Sequence, residues 1–234
     1  MTEPLPIVLI PGLLCTPSLY ASQITALWQF GPVTIADHRR DETMDAIAKR
    51  ILAAAPPHFA LAGLSMGGYI AHAIMRAAPE RVTRLALLDT SARADLPEQS
   101  ERRKAQIALA RAGKLDEITE ALWPLFVHKN RHEDAALKKV IVQMAQDTGA
   151  DAFIRQQMAI MSRPDARPDL PGIKCPTLVL VGEADQLTPP ALSEEMAAAI
   201  PGSRFLVVPG SGHLSTLEQP EAVSAAMVEW INAR

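Results

Sequence analysis

The segment Gly63-Leu64-Ser65-Met66-Gly67-Gly68 sets a serine between a short apolar run, residues 59–63, and a helix-forming stretch, residues 66–78. A serine on such a strand-to-helix turn takes a strained backbone, and its Oγ projects above the sheet as a nucleophile. The glycines let the helix pass close to the strand, where a Cβ would clash. The helix start adds free N–H groups and the positive end of a dipole beside Ser65. An ordinary glycine-rich turn with Ser65 as a helix cap has the same spacing, but the flanking strand and helix favour the nucleophile.

A nucleophilic serine needs a base, and the base needs an acid to orient it. Of six histidines, His213 in Gly210-Ser211-Gly212-His213-Leu214 follows the last strand-like run, so it belongs at the same sheet edge as Ser65. His72 lies about two turns into the helix after Ser65 and reads as a packing or surface residue. His128 and His132 beside Glu133 lack the glutamate inside an H-E-x-x-H pattern and read as a solvated turn. His38 and His58 have no partner motif. For the acid, Asp185 follows the run 177–181, giving the chain order serine, aspartate, histidine. Asp89, after the run 82–88, competes for this role, and Glu183 is a third option. The oxyanion of a tetrahedral intermediate needs two donors. The Met66 N–H follows from the turn, and the Leu13 N–H in Pro11-Gly12-Leu13-Leu14 is the expected second, with Gly12 allowing a sharp turn.

These pieces, with Ile10-Pro11-Gly12-Leu13, Thr188-Pro189 and Glu218-Gln219-Pro220, resemble the α/β-hydrolase superfamily, in particular its small bacterial serine esterase and lactonase branch. The resemblance spans the chain. It implies a Ser65–His213–Asp185 triad and no metal or other cofactor. Two departures stand out. Pro11 replaces the usual His before Gly12, which leaves backbone rigidity to brace the oxyanion loop. The segment Ala36-Asp37-His38-Arg39-Arg40-Asp41 lacks the glycines of the family's next loop.

The elements that must position these residues are legible as pattern. Apolar runs at 5–10, 33–36, 59–63, 82–88, 177–181 and 204–208 read as strands. Helical stretches at 19–30, 43–54, 66–78, 190–200 and 220–231 alternate with them. Runs apolar on both faces predict a mostly parallel sheet of about six strands, covered by helices on both sides: an α/β fold. Between residues 96 and 162 no strand is evident. Helices are expected at 98–112, 115–126, 134–147 and 151–161, with breaks at Gly113, Pro124 and Gly149. This predicts a core of 1–95 and 163–234 with a helical cap of 96–162 over the nucleophile. Glu101-Arg102-Arg103-Lys104 reads as an exposed helix face rather than a ligand patch. A proline-rich stretch, 163–176, returns the chain to the core.

The 234 residues carry 23 Lys+Arg against 26 Asp+Glu, a net charge of −3, so there is no basic excess for nucleic acid. No apolar run reaches the length of a membrane span, and residues 1–10 lack a cationic leader. Two cysteines, Cys15 and Cys175, do not make a disulfide framework, so a reduced, cytoplasmic setting is expected. The function expected is hydrolysis of a carboxylic ester of a small, largely apolar substrate, with water as co-substrate, by a monomer or homodimer. Leu14, Trp123, Phe126, Met158, Leu187 and Leu214 are the expected pocket residues. A C–C bond hydrolase, lyase or enol-lactonase would use the same triad. A ligand sensor that keeps the triad is a reading of a different class. A carboxylate nucleophile of the dehalogenase kind is excluded by Ser65.

Overall fold

The computed structural model describes residues 4–233, so the reading of the first three residues as part of a leaderless start lies outside it. Six strands form one parallel sheet: β1 Ile7–Ile10, β2 Val33–Ile35, β3 Phe59–Leu64, β4 Val82–Leu88, β5 Thr177–Gly182 and β6 Arg204–Val208. Their spatial order is β2-β1-β3-β4-β5-β6. All neighbours are parallel. Every C-terminal strand end therefore opens on one edge, where the loops that follow converge.

The side-chain period of two divides the core. Ile7, Leu9, Ala60, Ala62, Leu178 and Leu180 face one side, with α1 Ala21–Leu27 and α10 Pro220–Asn232 packed there. Val8, Ile10, Leu61, Leu85, Leu87 and Val179 face the other, beneath α2 Met44–Ala54, α3 Met66–Ala77 and α8 Pro190–Ala199. The Thr43 hydroxyl caps α2 by accepting from Ala46 N–H at 3.2 Å. The helix expected over 19–30 is divided: 3₁₀ turns at Pro17–Tyr20 and Trp28–Phe30 flank α1. A one-turn helix, α9 Ser215–Glu218, was not legible in the pattern.

Between β4 and β5 lie α4 Pro97–Arg111, α5 Leu115–Phe126, α6 Ala135–Thr148 and α7 Ala150–Met161. Pro124 does not break α5, which runs two residues past it to Phe126; its missing N–H removes one helical hydrogen bond close to the helix end. The four helices touch one another. Their apolar faces also join the sheet's core: Leu122, Phe126, Ile141 and Phe153 belong to the same buried cluster as Leu9 and Leu64. Among the described residues no helix is long and apolar enough to cross a membrane.

Candidate active site

Ser65 sits between β3 and α3 with φ +54° and ψ −115°, outside the region a serine normally adopts. Close packing holds it there. A Cβ on Gly63 would come within 2.2 Å of Gly67 O, and one on Gly67 within 2.1 Å of Ile10 O. The Ser65 N–H donates to Leu88 O at 2.9 Å, and its carbonyl accepts from the Thr90 hydroxyl at 2.8 Å. The adjoining strand therefore fixes both ends of the strained residue.

His213 Nε2 lies 2.8 Å from Ser65 Oγ, and His213 Nδ1 lies 2.8 Å from Asp185 Oδ2. The other Asp185 oxygen accepts from Leu187 N–H at 2.9 Å and Thr188 N–H at 3.0 Å, and Thr188 Oγ1 donates to Oδ2 at 2.7 Å. The carboxylate is thus fixed as an acceptor aimed at the ring. The His213 loop is held from the helical insertion: Phe126 O accepts from His213 N–H at 3.0 Å, and the two rings stack 6.2 Å apart. Buried Glu218 joins the same two segments, accepting from Gly212 N–H at 2.8 Å and His128 N–H at 2.6 Å. Only the His128 backbone joins this loop; its half-buried ring accepts from Asn130 N–H at 3.1 Å and caps the 3₁₀ turn Lys129–Arg131, in keeping with the solvated turn expected there.

Charge is apportioned by burial and contact. Burial works against a cationic His213, yet the Asp185 carboxylate, its hydrogen bond and the nearby Asp89 and Glu218 push the pKa above its ordinary value. Burial would raise Asp185, but His213 and the donors around it hold its carboxyl below the usual range. Asp89 goes the other way. It is fully buried, and desolvation and the Asp185 charge hold its pKa well above normal. It accepts from Gly182 N–H at 2.8 Å and from the Ser215 hydroxyl, tying β4 to β5 and α9. Glu183 faces another way and accepts from Gly210 N–H at 3.1 Å.

Among the described residues neither Leu13 N–H nor Met66 N–H donates a hydrogen bond within the protein, so both remain available beside Ser65. The sharp turn expected at Gly12 falls instead at Leu14, φ +60°. At Gly12 an added Cβ would meet the Ser65 Cβ at 3.4 Å. The loop is braced by side chains and not by Pro11 alone. The His38 ring nitrogen lies 2.9 Å from Gly12 O, and Leu14 N–H donates to Gln156 Oε1 at 3.2 Å. Gln156 Nε2 is also 3.0 Å from His38 Nε2. His38 and Gln156 are buried, and burial holds His38 below its ordinary pKa. Sequence reasoning missed both because their partners are 26 and 142 residues away.

Ser65 and His213 open on a cavity of about 590 Å³. Leu13, Leu122, Leu125, Phe126, Leu187 and Leu214 give it an apolar wall. Of the expected pocket residues, Phe126, Leu187 and Leu214 line it; Leu14, Trp123 and Met158 do not. Leu14 is turned into the core by its left-handed backbone, and Trp123 packs under the insertion with Nε1 donating to His132 O at 3.2 Å. Of the run read from sequence as an exposed face, Glu101, Arg102 and Lys104 are exposed and Arg103 is largely buried; Arg102 and Arg103 also line the cavity. Among the described residues no group of three or more His, Cys, Asp or Glu side chains is arranged to hold a metal ion.

A profile described as "Alpha/beta hydrolase family" matches residues 7–226. The chain is 32% identical to a thermophilic esterase from Thermogutta terrifontis. That similarity covers 97% of this chain and 89% of the esterase, with a TM-score of 0.88. It is 26% identical to the enol-lactonase from Burkholderia xenovorans LB400, covering 99% and 92% of the two chains, with a TM-score of 0.90. A pimeloyl-[acyl-carrier protein] methyl ester esterase from Edwardsiella ictaluri is 26% identical over 195 residues, 80% of this chain and 75% of that protein.

Proposed function

The chain belongs to the alpha/beta hydrolase family, and from that premise we propose that it is a serine hydrolase of carboxylic esters, with Ser65 as nucleophile, His213 as base and Asp185 as its orienting acid. The observation that carries this reading is the pair of 2.8 Å contacts from the His213 ring, one to Ser65 Oγ and one to Asp185 Oδ2. Relatives named as an esterase and a methyl ester esterase support a hydrolase that acts on ester bonds.

In the proposed reaction His213 Nε2 takes the hydroxyl proton as Ser65 Oγ bonds to the acyl carbon. The carbonyl electron pair moves to oxygen, and Leu13 and Met66 N–H donors stabilise that oxyanion. Collapse expels the alkoxide, which takes the proton from His213, and leaves an acyl-Ser65 ester. A water then gives its proton to His213 and attacks the acyl carbon; collapse of this second intermediate expels Ser65 Oγ, which takes the proton back from His213, and releases the acid. Asp185 keeps Nδ1 protonated and stabilises the imidazolium formed twice per cycle. Helices α4–α7, in this reading, act as a cap over the cavity, and the partners are a small ester and water. A lactone is a cyclic ester that the same steps would open. The 0.90 TM-score to an enol-lactonase supports keeping it among the substrates tested.

Fluorophosphonate labelling together with turnover of p-nitrophenyl esters of increasing chain length tests the proposal. Labelling and turnover that both require Ser65 are expected. Turnover that persists in clean Ser65→Ala protein would overturn it.

A further inference from the structure

Besides its apolar residues the cavity is lined by five arginines and two aspartates, in a protein whose net charge is −3. Of these arginines, Arg93 and Arg167 are compensated by Glu195 and Asp165. Arg103 and Arg163 are different, because they share one carboxylate, that of Asp95. Arg103 Nε lies 2.7 Å from Asp95 Oδ2, and Arg163 lies 2.6 Å from Oδ1. All three side chains are largely buried: 17% exposed for Arg103, 7% for Arg163 and 3% for Asp95. The group is rigid. Arg163 donates to the carbonyls of Arg93 and Ile160 and lies over the Tyr69 ring at 4.2 Å, and Arg103 donates to Gln157 at 2.8 Å. Next to it Arg102, also on the cavity, makes no ion pair among the described residues. Three guanidiniums thus line the cavity, Arg103 and Arg163 about one carboxylate and Arg102 exposed to solvent.

Arg103 and Arg163 carry one more charge than Asp95 answers, and an uncompensated charge that is largely buried is unfavourable unless a ligand brings the opposite sign. Guanidinium forks suit oxyanions, which they hold through paired, charge-assisted bonds. Building on the ester-hydrolase reading, we propose that the substrate carries a second group, an oxyanion such as a carboxylate or phosphate, which docks on Arg102 and Arg103 while its ester reaches Ser65. Asp95 already takes Nε and Nη2 of Arg103, and Gln157 its Nη1, so that guanidinium is a fixed positive wall while the free fork of Arg102 makes the paired contact. A purely apolar ester would leave this charge unanswered.

The test compares the monoethyl ester of glutaric acid with the ethyl ester of glutaramic acid, which differ only in carboxylate against carboxamide. A second pair sets 2-acetoxyethyl phosphate against its neutral diethyl ester. In one pair kcat/KM is expected to be at least about tenfold higher for the anion, and that pair identifies the oxyanion. Arg103→Gln, and separately Arg102→Gln, should draw that ratio toward one, while Arg103→Lys should restore only part of it. Ratios near one in both pairs, or a ratio that survives both glutamine variants, would overturn the proposal. A protein that labels and hydrolyses all four esters alike keeps the hydrolase reading and loses this one. If there is neither labelling nor turnover, calorimetry with glutarate and ethyl phosphate decides: saturable binding weakened by Arg103→Gln supports the subsite, and no binding removes it.

Discussion

Leu14, in the loop after β1, and Gln156, on α7, are 142 residues apart and share a buried hydrogen bond of 3.2 Å from Leu14 N–H to Gln156 Oε1. The bond fixes one side of the loop that carries the Leu13 N–H to the helical insertion. Gln156→Met removes the acceptor at similar volume and leaves a buried N–H unpaired. The expected result is a loss of about 1–3 kcal/mol in stability. A fall in kcat of about tenfold to a hundredfold at little-changed KM is also expected, because in the proposed mechanism the displaced donor acts on the transition state. Denaturant titration and steady-state kinetics check the two; unchanged kcat would sever the loop from the insertion.

Replacing Asp185 with Asn should lower kcat by about four orders of magnitude, by presenting a donor to Nδ1 and favouring the wrong ring tautomer. Asp89→Asn should cost far less in kcat. Its side chain would keep an oxygen for Gly182 N–H, and Asp89 lies next to the His213 loop without contacting the ring. The reverse ranking would reassign the acid.

The pH dependence follows from the upward shift at His213. The base must be neutral, so kcat/KM should fall on acidification through a pKa above the ordinary 6.5 of histidine. In Asp185→Asn the attraction is gone while burial remains, so the acid limb of the residual activity should move to lower pH. An acid limb in wild type clearly below 6.5 contradicts the charge arrangement described above.

His72 gives a stability test independent of catalysis. Buried on α3, with no partner for Nε2 among the described residues, it is held by burial at a pKa of about 4. The unfolded chain binds this proton near pH 6.5, so stability is fully present above that pH and is lost as pH falls toward 4. The loss attributable to this group is about 3 kcal/mol. His72→Gln cannot be protonated and should flatten the pH 4–6.5 part of the unfolding free-energy curve. A curve unchanged by the substitution assigns the acid sensitivity elsewhere.

The sheet and the three residues meeting at 2.8 Å were legible because they are local signals. Apolar runs mark β1, β3, β4 and β5, and Gly63, Gly67 and Gly212 flank side chains that end strands or loops. What sequence could not give is contact across the fold. The brace on the Gly12 loop comes from His38 and Gln156, which lie in no motif. The cavity wall was missed for a related reason. Arg103 reads as an exposed helical charge until Asp95 and Arg163, arriving from before α4 and after α7, bury it. Trp123 and Met158 were expected in the pocket by apolarity alone, which cannot tell which side of a helix faces ligand.

Leu14, Ser65 and Asp89 are the non-glycine residues with positive φ among those described, and each follows a strand on the same sheet edge. Each holds a conformation that costs about 1 kcal/mol or more. At Leu14 and Asp89 the side chain itself offsets that cost. Glycine would relax the backbone, yet it would empty the core at Leu14 and strip Gly182 N–H and the Ser215 hydroxyl of their acceptor at Asp89. The strain at this edge is thus held by the same side chains that keep the sheet together, and heat resistance and turnover both retain it.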